Sequence, residues 1–161
     1  MSEGERLRGI LLDMDGVLYT ADNIISGAVE TATWVRTQGI PHLFVTKTTS
    51  KSRAALAEKL LSFGIPAHEE EILTPAAAAA EWLHAQGGSG IALFVPPSAR
   101  LEFAGLPCLP DGAESGASYV VVGDLGKLWD YRTLNPSLSP PISQPGCTTH
   151  CIGHDPLLAG A

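Results

Sequence analysis

The sequence predicts an α/β fold built on a parallel sheet, and two observations carry that prediction. Residues 10–12 form a short unbroken apolar run, Ile-Leu-Leu, which is typical of a strand buried on both faces. Further short apolar runs then alternate along the chain with segments of helical periodicity. Buried strands that alternate with helices indicate a parallel sheet covered by those helices.

The first helix is predicted over residues 27–38, with Ser26 as its N-cap and Gly39 as the residue that ends it. Spacing predicts that its inward face comprises Ala28, Val29, Ala32 and Val35. A second short apolar strand is predicted at residues 42–46, directly after this helix.

A second amphipathic helix is predicted over residues 51–63, and Gly64 is expected to end it. Its predicted inward face comprises Leu56, Leu60, Leu61 and Phe63. A third helix is expected to open at Thr74 and Pro75, an N-cap followed by proline in the first helical position. The alanine run at residues 76–80 strongly favours helix.

The remaining predicted elements are two buried strands, at residues 91–95 and 118–122, and an irregular tail. Pro96 and Pro97 end the first of these strands, because proline lacks the amide hydrogen that a ladder needs. Residues 136–161 contain five prolines and no helical or strand periodicity, so they are expected to be irregular or disordered.

Composition and charge narrow the function classes. The chain has 161 residues, enough for one domain or part of a larger one, and its 45% hydrophobic content suffices for a core. The net charge of −7 disfavours nucleic-acid binding, which relies on basic surfaces. No stretch is long and apolar enough to span a membrane, and the first residues lack an apolar signal region. Three cysteines without a disulfide-like spacing predict a cytoplasmic protein.

The clearest candidate site follows the first predicted strand, where Asp13 and Asp15 precede Gly16. Open α/β sheets bind ligands at the carboxyl ends of their strands, and two acids are costly there unless a cation or substrate uses them. Such a pair can hold Mg²⁺, with Asp13 as a nucleophile toward phosphorus and Asp15 as a proton carrier. The alternative is an ordinary acidic turn, since Asp-Gly is a common turn pair. A calcium loop is disfavoured, because Val17 stands where an oxygen ligand is needed.

Two longer stretches carry a family resemblance. Residues 12–19, Leu-Asp-Met-Asp-Gly-Val-Leu-Tyr, resemble the first motif of the haloacid dehalogenase superfamily of phosphohydrolases, and residues 43–53 resemble its second motif. The resemblance extends over residues 7–135 and points to subclass IIA, in which a large cap is inserted after the second motif. The phospholysine phosphohistidine inorganic pyrophosphate phosphatases and their bacterial homologues are the members that it is most similar to.

This resemblance implies a partial doubly wound parallel sheet, a Rossmann-like core, with an inserted α/β cap. It divides the chain into the N-terminal half of the hydrolase core at residues 1–66, part of the cap at residues 67–135, and the tail at residues 136–161. The family continues through a lysine motif and a further acidic motif, which are not visible in this sequence. The chain is therefore expected to be truncated or to carry a tail from a shifted reading frame.

The resemblance also implies roles for individual residues. Asp13 is expected to be the nucleophile and a metal ligand, and Asp15 the general acid and base whose main-chain carbonyl completes the coordination of Mg²⁺. Thr46 is expected to bind the phosphoryl group through its hydroxyl, while Gly16 and Val17 offer backbone amides to its oxygens. The implied activity is that of a Mg²⁺-dependent phosphatase that acts on a small phosphorylated substrate through an aspartyl-phosphate.

Two positions leave alternatives open. Lys47 stands where the family usually has asparagine, and it is either a solvated loop lysine or a point charge near the phosphate. Asp124 follows a predicted strand, but no lysine lies between Lys59 and Asp124, so we interpret it as a cap residue rather than a metal ligand. The chain is thus either an active phosphatase or a catalytically impaired fragment, with self-association expected through an open sheet edge.

Overall fold

The computed structural model describes residues 7–113 and 115–129, together with the backbone of residues 148–151. The chain falls into two compact units, of which the first comprises Met1–Thr46 and Arg53–Thr74, and the second Lys47–Ser52 and Pro75–Ala161. The first unit contains strands β1 (Ile10–Asp13), β2 (Tyr19–Thr20), β3 (Asn23–Ile24), β4 (His42–Val45) and β5 (Ile72–Leu73), and helices α1 (Ala28–Thr37) and α2 (Arg53–Ser62). The second contains helices α3 (Pro75–Ala85) and α4 (Pro97–Arg100), and strands β6 (Ile91–Phe94), β7 (Tyr119–Val122) and β8 (Thr148–Cys151).

The first unit is built on a parallel sheet with the strand order β1-β4-β5. Its register pairs Ile10 with His42 and Asp13 with Val45, so β1 and β4 end side by side. Among the described residues, β1 is paired along one edge, and Leu11 within it is 71% exposed. The α/β prediction is confirmed, but the prediction that this apolar run is buried on both faces is wrong for the described part of the chain, which leaves Leu11 uncovered.

The core of the first unit is formed by residues of this sheet, of both helices and of their connections. Its buried side chains include Met14, Leu18, Phe44, Leu56, Leu60, Ile65 and Ile72. Helix α1 confirms the helix predicted over residues 27–38, although its N-cap is Gly27, in the left-handed conformation (φ 85°), rather than Ser26. On α2 the predicted inward residue Leu61 is 63% exposed, because it lies about 100° around the helix from the fully buried Leu60.

The second unit contains a separate parallel sheet in the order β6-β7-β8. Its core includes Ala76, Leu83, Ile91, Val95, Phe103 and Val121. Helix α3 begins at Pro75 as predicted. Residues 148–151 were predicted to be irregular, and that prediction is wrong, since they pair with β7 as a strand. Ladder hydrogen bonds use backbone groups, so a strand can form without an apolar pattern. The rest of the predicted tail lies outside the described residues.

The two compact units divide the chain after Thr74, and the division into core and cap after residue 66 stays a prediction. The first unit extends to Thr74, because β5 adds a third strand to its sheet with Ile72 opposite Phe44. Residues 47–52 are grouped with the second unit. Within the part of the chain that the structure describes, no helix combines the length and the apolarity required to cross a bilayer.

Candidate active site

The candidate site lies where β1 and β4 end. Asp13 is the last residue of β1 and lies opposite Val45, the last residue of β4. The Met14 amide extends the ladder by donating a hydrogen bond to the Val45 carbonyl oxygen (3.1 Å). Neighbouring strands lie about 4.8 Å apart, so Thr46 leaves β4 next to the residues that leave β1. The two motifs seen in the sequence therefore meet at one edge of the sheet.

The two carboxylates of the first motif flank a buried residue. Asp13 and Asp15 are exposed, whereas Met14 between them is fully buried in the core. Successive side chains of extended backbone point to opposite sides, so this alternation puts both carboxylates on the solvent side. Asp13 Oδ1 accepts a hydrogen bond from the Met14 amide (2.8 Å). This bond orients the Asp13 carboxylate and keeps Oδ2 as its second acceptor.

A tight turn follows the carboxylates. Gly16 has a φ of 84°, which glycine adopts without a steric cost. The Gly16 amide donates to the Tyr19 carbonyl oxygen (2.7 Å), and the Leu18 amide donates to the Met14 carbonyl oxygen (2.9 Å). The Gly16 amide is thus used inside the turn, which differs from its predicted role as a donor to a phosphoryl oxygen. Val17 is 49% exposed, and its amide has no acceptor among the described residues.

Tyr19 connects this turn to the charge of both carboxylates. Burial raises the pKa of the Tyr19 phenol above its usual value of 10.0, and the negative charges of Asp15 and then Asp13 raise it further. Both carboxylates are therefore close enough to act electrostatically on one hydroxyl group. Two negative charges concentrated at one strand end favour a bound cation at the same place.

The hairpin of β2 and β3 follows the turn, and Lys59 of α2 holds it. Lys59 Nζ donates to the Ala21 carbonyl oxygen (2.7 Å) and lies 4.2 Å from the centre of the Tyr19 ring. It also lies 3.7 Å from Asp22 Oδ1. Ala21 has a φ of 53°, an uncommon value for a residue with a Cβ. Sequence reasoning missed this role; the available signal was the position of Lys59 four residues before Phe63, whose ring packs against Tyr19 (centroids 5.4 Å apart).

The donor chemistry at the end of β1 fits a magnesium ion. The carboxylates of Asp13 and Asp15 are hard oxygen donors, and both side chains are exposed. Within residues 7–113 and 115–129, no group of three or more His, Cys, Asp or Glu side chains is arranged to hold a metal. Mg²⁺ usually takes one or two protein carboxylates and completes its shell with waters and substrate phosphate. Zinc and calcium sites normally require more protein ligands than this pair supplies.

The other candidate residues differ in their surroundings. Thr46 is 5% exposed, and its amide donates to the Leu73 carbonyl oxygen of the first unit (3.1 Å). Lys47 is exposed and is the first residue of the second unit, so its place in a phosphate site stays a prediction. Asp124 is also exposed, and its Oδ1 accepts a hydrogen bond from the Gly126 amide (2.8 Å). This bond gives Asp124 a local role in a turn of the second unit.

Sequence comparison finds relatives whose names describe phosphate chemistry. The 5′-nucleotidase YutF of Bacillus subtilis is 33% identical over 116 residues, a match that covers 72% of this chain and 45% of the relative. The acid sugar phosphatase of Staphylococcus saprophyticus is 34% identical over 125 residues, with the same two shares. The chain spans about half the length of the curated relatives that it matches.

Structural comparison and a family profile agree with these relatives. The p-nitrophenyl phosphatase from Archaeoglobus fulgidus superposes with a TM-score of 0.79 at 25% identity, covering 92% of this chain and 56% of that protein. The 4-nitrophenylphosphatase from Thermotoga maritima shares the fold, with a TM-score of 0.77 at 22% identity. The match covers 91% of this chain and 54% of the Thermotoga protein. The profile of the haloacid dehalogenase-like hydrolases matches residues 10–106. The chain belongs to the haloacid dehalogenase-like hydrolase family, subclass IIA.

Proposed function

We propose that this protein is a Mg²⁺-dependent phosphatase that acts on a small phosphorylated substrate through an aspartyl-phosphate. The observation that carries the proposal is the exposed pair Asp13 and Asp15, on either side of the buried Met14 at the end of β1. Open α/β sheets bind their ligands at this edge. The names of the relatives, which include a 5′-nucleotidase, an acid sugar phosphatase and a p-nitrophenyl phosphatase, support the substrate class.

The proposed reaction has two steps. In the first, Asp13 Oδ2 attacks phosphorus and the bond to the leaving-group oxygen breaks, while Asp15 donates a proton to that oxygen. In the second, Asp15 takes a proton from water, whose oxygen attacks the phosphorus and releases inorganic phosphate and Asp13. The hydrogen bond from the Met14 amide to Asp13 Oδ1 (2.8 Å) supports this assignment, because it holds the carboxylate in one orientation.

The phosphoryl group is proposed to be bound by residues at the ends of both strands. The Thr46 hydroxyl donates to one phosphoryl oxygen, and the Val17 amide, which has no acceptor among the described residues, donates to another. Gly16 contributes the shape of the turn rather than a donor, because its amide is bonded to Tyr19. Lys47, the residue after Thr46, adds a positive charge.

The cofactor assigned by the proposal is Mg²⁺. It would be held by the carboxylate of Asp13 and by the main-chain carbonyl of Asp15, and it would offset the negative charge of the phosphate. A cytoplasmic location, predicted from the three cysteines, completes the proposal.

Hydrolysis of 4-nitrophenyl phosphate with Mg²⁺ tests this function directly. Asp13→Asn removes the nucleophile and should lower the rate by about 10³-fold or more. Glu30→Gln changes an exposed carboxylate on α1 and should leave the rate unchanged, which makes it the matched control. Equal rates for the unaltered protein and Asp13→Asn, both above a blank without protein, would exclude Asp13 as the nucleophile.

The second candidate is a polypeptide without independent hydrolase activity that pairs through its sheet edge. The positions of the lysines favour it, because Lys127 is the one lysine after Lys59 and the family uses a lysine downstream of its second motif. The unpaired edge of β1 among the described residues, with Leu11 71% exposed, supplies the surface. Light scattering after size-exclusion chromatography should then show a dimer that Leu11→Lys converts to monomer. A monomer at every concentration tested argues against this pairing.

A further inference from the structure

The second unit contains a cavity that the proposed hydrolase chemistry does not use. It has a volume of about 330 Å³ and lies beside β6. Most of its wall is apolar, and the residues that matter for its chemistry are Leu93, Phe94, Leu109, Leu125, Arg100 and Asp111. Ligand pockets in proteins commonly measure about 300–1,000 Å³ and combine an apolar wall with a few polar groups, so this cavity has the size and the composition of a small binding site.

Arg100 supplies the positive charge of the cavity. It is the last residue of α4, and its side chain is 39% exposed. Its Nη2 donates to the Asp111 carboxylate (2.7 Å) and, with a longer bond, to the Leu93 carbonyl oxygen (3.3 Å). Among the described residues, no acceptor contacts Arg100 Nη1 or Nε. A guanidinium with unused donors can bind a carboxylate through two parallel hydrogen bonds.

Asp111, which pairs with the Arg100 guanidinium, lies in an exposed turn. The Ala113 amide closes this turn by donating to the Pro110 carbonyl oxygen (3.2 Å), and Gly112 has a φ of 78°. The Asp111 side chain is 79% exposed. Exposed ion pairs are weak, and they favour the paired state by about fivefold or less. A ligand that brings its own carboxylate can therefore displace Asp111 at little cost.

We propose that this cavity binds a small organic carboxylate, with its apolar body against Leu93, Phe94 and Leu109 and its carboxylate on Arg100 in place of Asp111. The volume corresponds to about eleven water molecules at 30 Å³ each, which suits a ligand of about ten non-hydrogen atoms. The carboxylate is the favoured oxyanion because Arg100 Nη2 already donates to one, that of Asp111 (2.7 Å). This site stands apart from the proposed phosphatase function and does not depend on Asp13.

Titration of the ¹⁵N-labelled full chain with phenylacetate tests the proposal. The amide signals of residues 91–95, 109 and 111–113 should shift together, with a single dissociation constant. Phenylacetamide is a neutral compound of the same shape, and it should bind at least tenfold more weakly, since it lacks the charge that pairs with Arg100. Phenylphosphonate has no phosphoester bond, so the proposed hydrolase chemistry cannot cleave it. Its affinity reports whether the cavity prefers a phosphorus oxyanion to a carboxylate.

Two variants make opposite predictions for the affinity. Arg100→Met should weaken phenylacetate binding at least tenfold, because it removes the cation. Asp111→Asn should strengthen binding by about 1.5- to fivefold, because it removes the competing carboxylate. Glu81→Gln, an exposed carboxylate on α3, is the control and should leave the affinity unchanged.

Three results would each overturn the proposal: no shifts up to 50 mM phenylacetate, equal binding of phenylacetamide, or unchanged affinity in Asp111→Asn. Phenylphosphonate binding tenfold tighter than phenylacetate would overturn the choice of a carboxylate. If Arg100→Met does not fold, the comparison of phenylacetate with phenylacetamide and the Asp111→Asn variant still decide the question. Loss of phosphatase activity in Asp13→Asn has no bearing on these readouts, so the two proposals can fail independently.

Discussion

Replacement of Lys59 by methionine is expected to loosen the β2–β3 hairpin while the core of the first unit is retained. Methionine keeps an apolar stem beside the Tyr19 and Phe63 rings but lacks the ammonium group. The variant therefore loses the hydrogen bond to the Ala21 carbonyl oxygen (2.7 Å) and the cation–π contact with Tyr19 (4.2 Å). It also releases a residue whose backbone is held at an uncommon φ of 53°.

The size of the effect follows from the burial of Lys59. Its side chain is 19% exposed, so the charged hydrogen bond is expected to contribute about 1.5–2 kcal/mol to the free energy that keeps the hairpin closed. The contact with the Tyr19 ring adds about 0.5–1 kcal/mol. Asp22 is 98% exposed, and its pair with Lys59 is given no weight. The total of about 2–3 kcal/mol corresponds to an opening equilibrium about 30- to 150-fold more favourable.

Amide hydrogen exchange under native conditions measures this opening. The Ile25 amide donates to the Leu18 carbonyl oxygen (2.9 Å) across the hairpin, and it is the reporter. Its exchange should accelerate about 30- to 150-fold in Lys59→Met if it exchanges by local opening, while amides of β4 change little. Lys127→Met, an exposed lysine of the second unit, controls for the loss of one charge. Equal acceleration of Ile25 exchange in both variants would refute the role of Lys59.

Two further predictions concern stability. Gly90→Ala should cost about 2–5 kcal/mol, because φ is 64° and the new Cβ would clash with the Gly116 carbonyl oxygen. Gly87→Ala, with φ 63° and open space around the new Cβ, should cost about 1–2 kcal/mol. Equal losses of stability in urea unfolding would contradict the steric argument. Arg36→Met should cost about 1 kcal/mol at pH 7, since Arg36 Nη2 donates to Glu71 Oε2 (2.7 Å). Burial alone would raise the pKa of Glu71, but the Arg36 hydrogen bond, with the His68 amide, brings it below its usual value of 4.5. This stabilisation is therefore present above pH 4.5 and is lost as the pH falls through the folded-state pKa. Urea unfolding should show the gap narrowing below pH 4.5 to a remainder from the pH-independent bond of Arg36 to the Pro66 carbonyl oxygen (2.8 Å), and a constant gap would contradict it.

The sequence correctly predicted those helix ends that depend on the backbone conformation of a single proline or glycine. Pro75 begins α3, because proline in the first turn has no amide hydrogen to lose. Gly39 and Gly64 end their helices with φ values of 64° and 85°, which glycine adopts freely. The cap of α1 was predicted wrongly, at Ser26 instead of Gly27, because the direction from which the chain enters the helix decides which residue caps it.

Short elements escaped the sequence analysis for a related reason. Strands β2, β3 and β5 have two residues each, and two residues cannot display an alternating pattern. Their existence depends on a partner strand, as with Ile72 of β5 opposite Phe44 of β4. The pairing of β5 with β4 also explains why the first unit extends to Thr74.

By itself, the sequence determined the family, the alternation of strands and helices, and the position of Asp13 and Asp15 after the first strand. These properties are encoded in short patterns, since apolar runs, turn residues and caps act over a few neighbouring positions. The tertiary structure decided which groups meet, including Lys59 with the Ala21 carbonyl, 38 positions away in the chain. It also decided that the Gly16 amide is used within its own turn. Distances of this kind are set by the path of the whole chain through the sheet, and local periodicity carries no information about them.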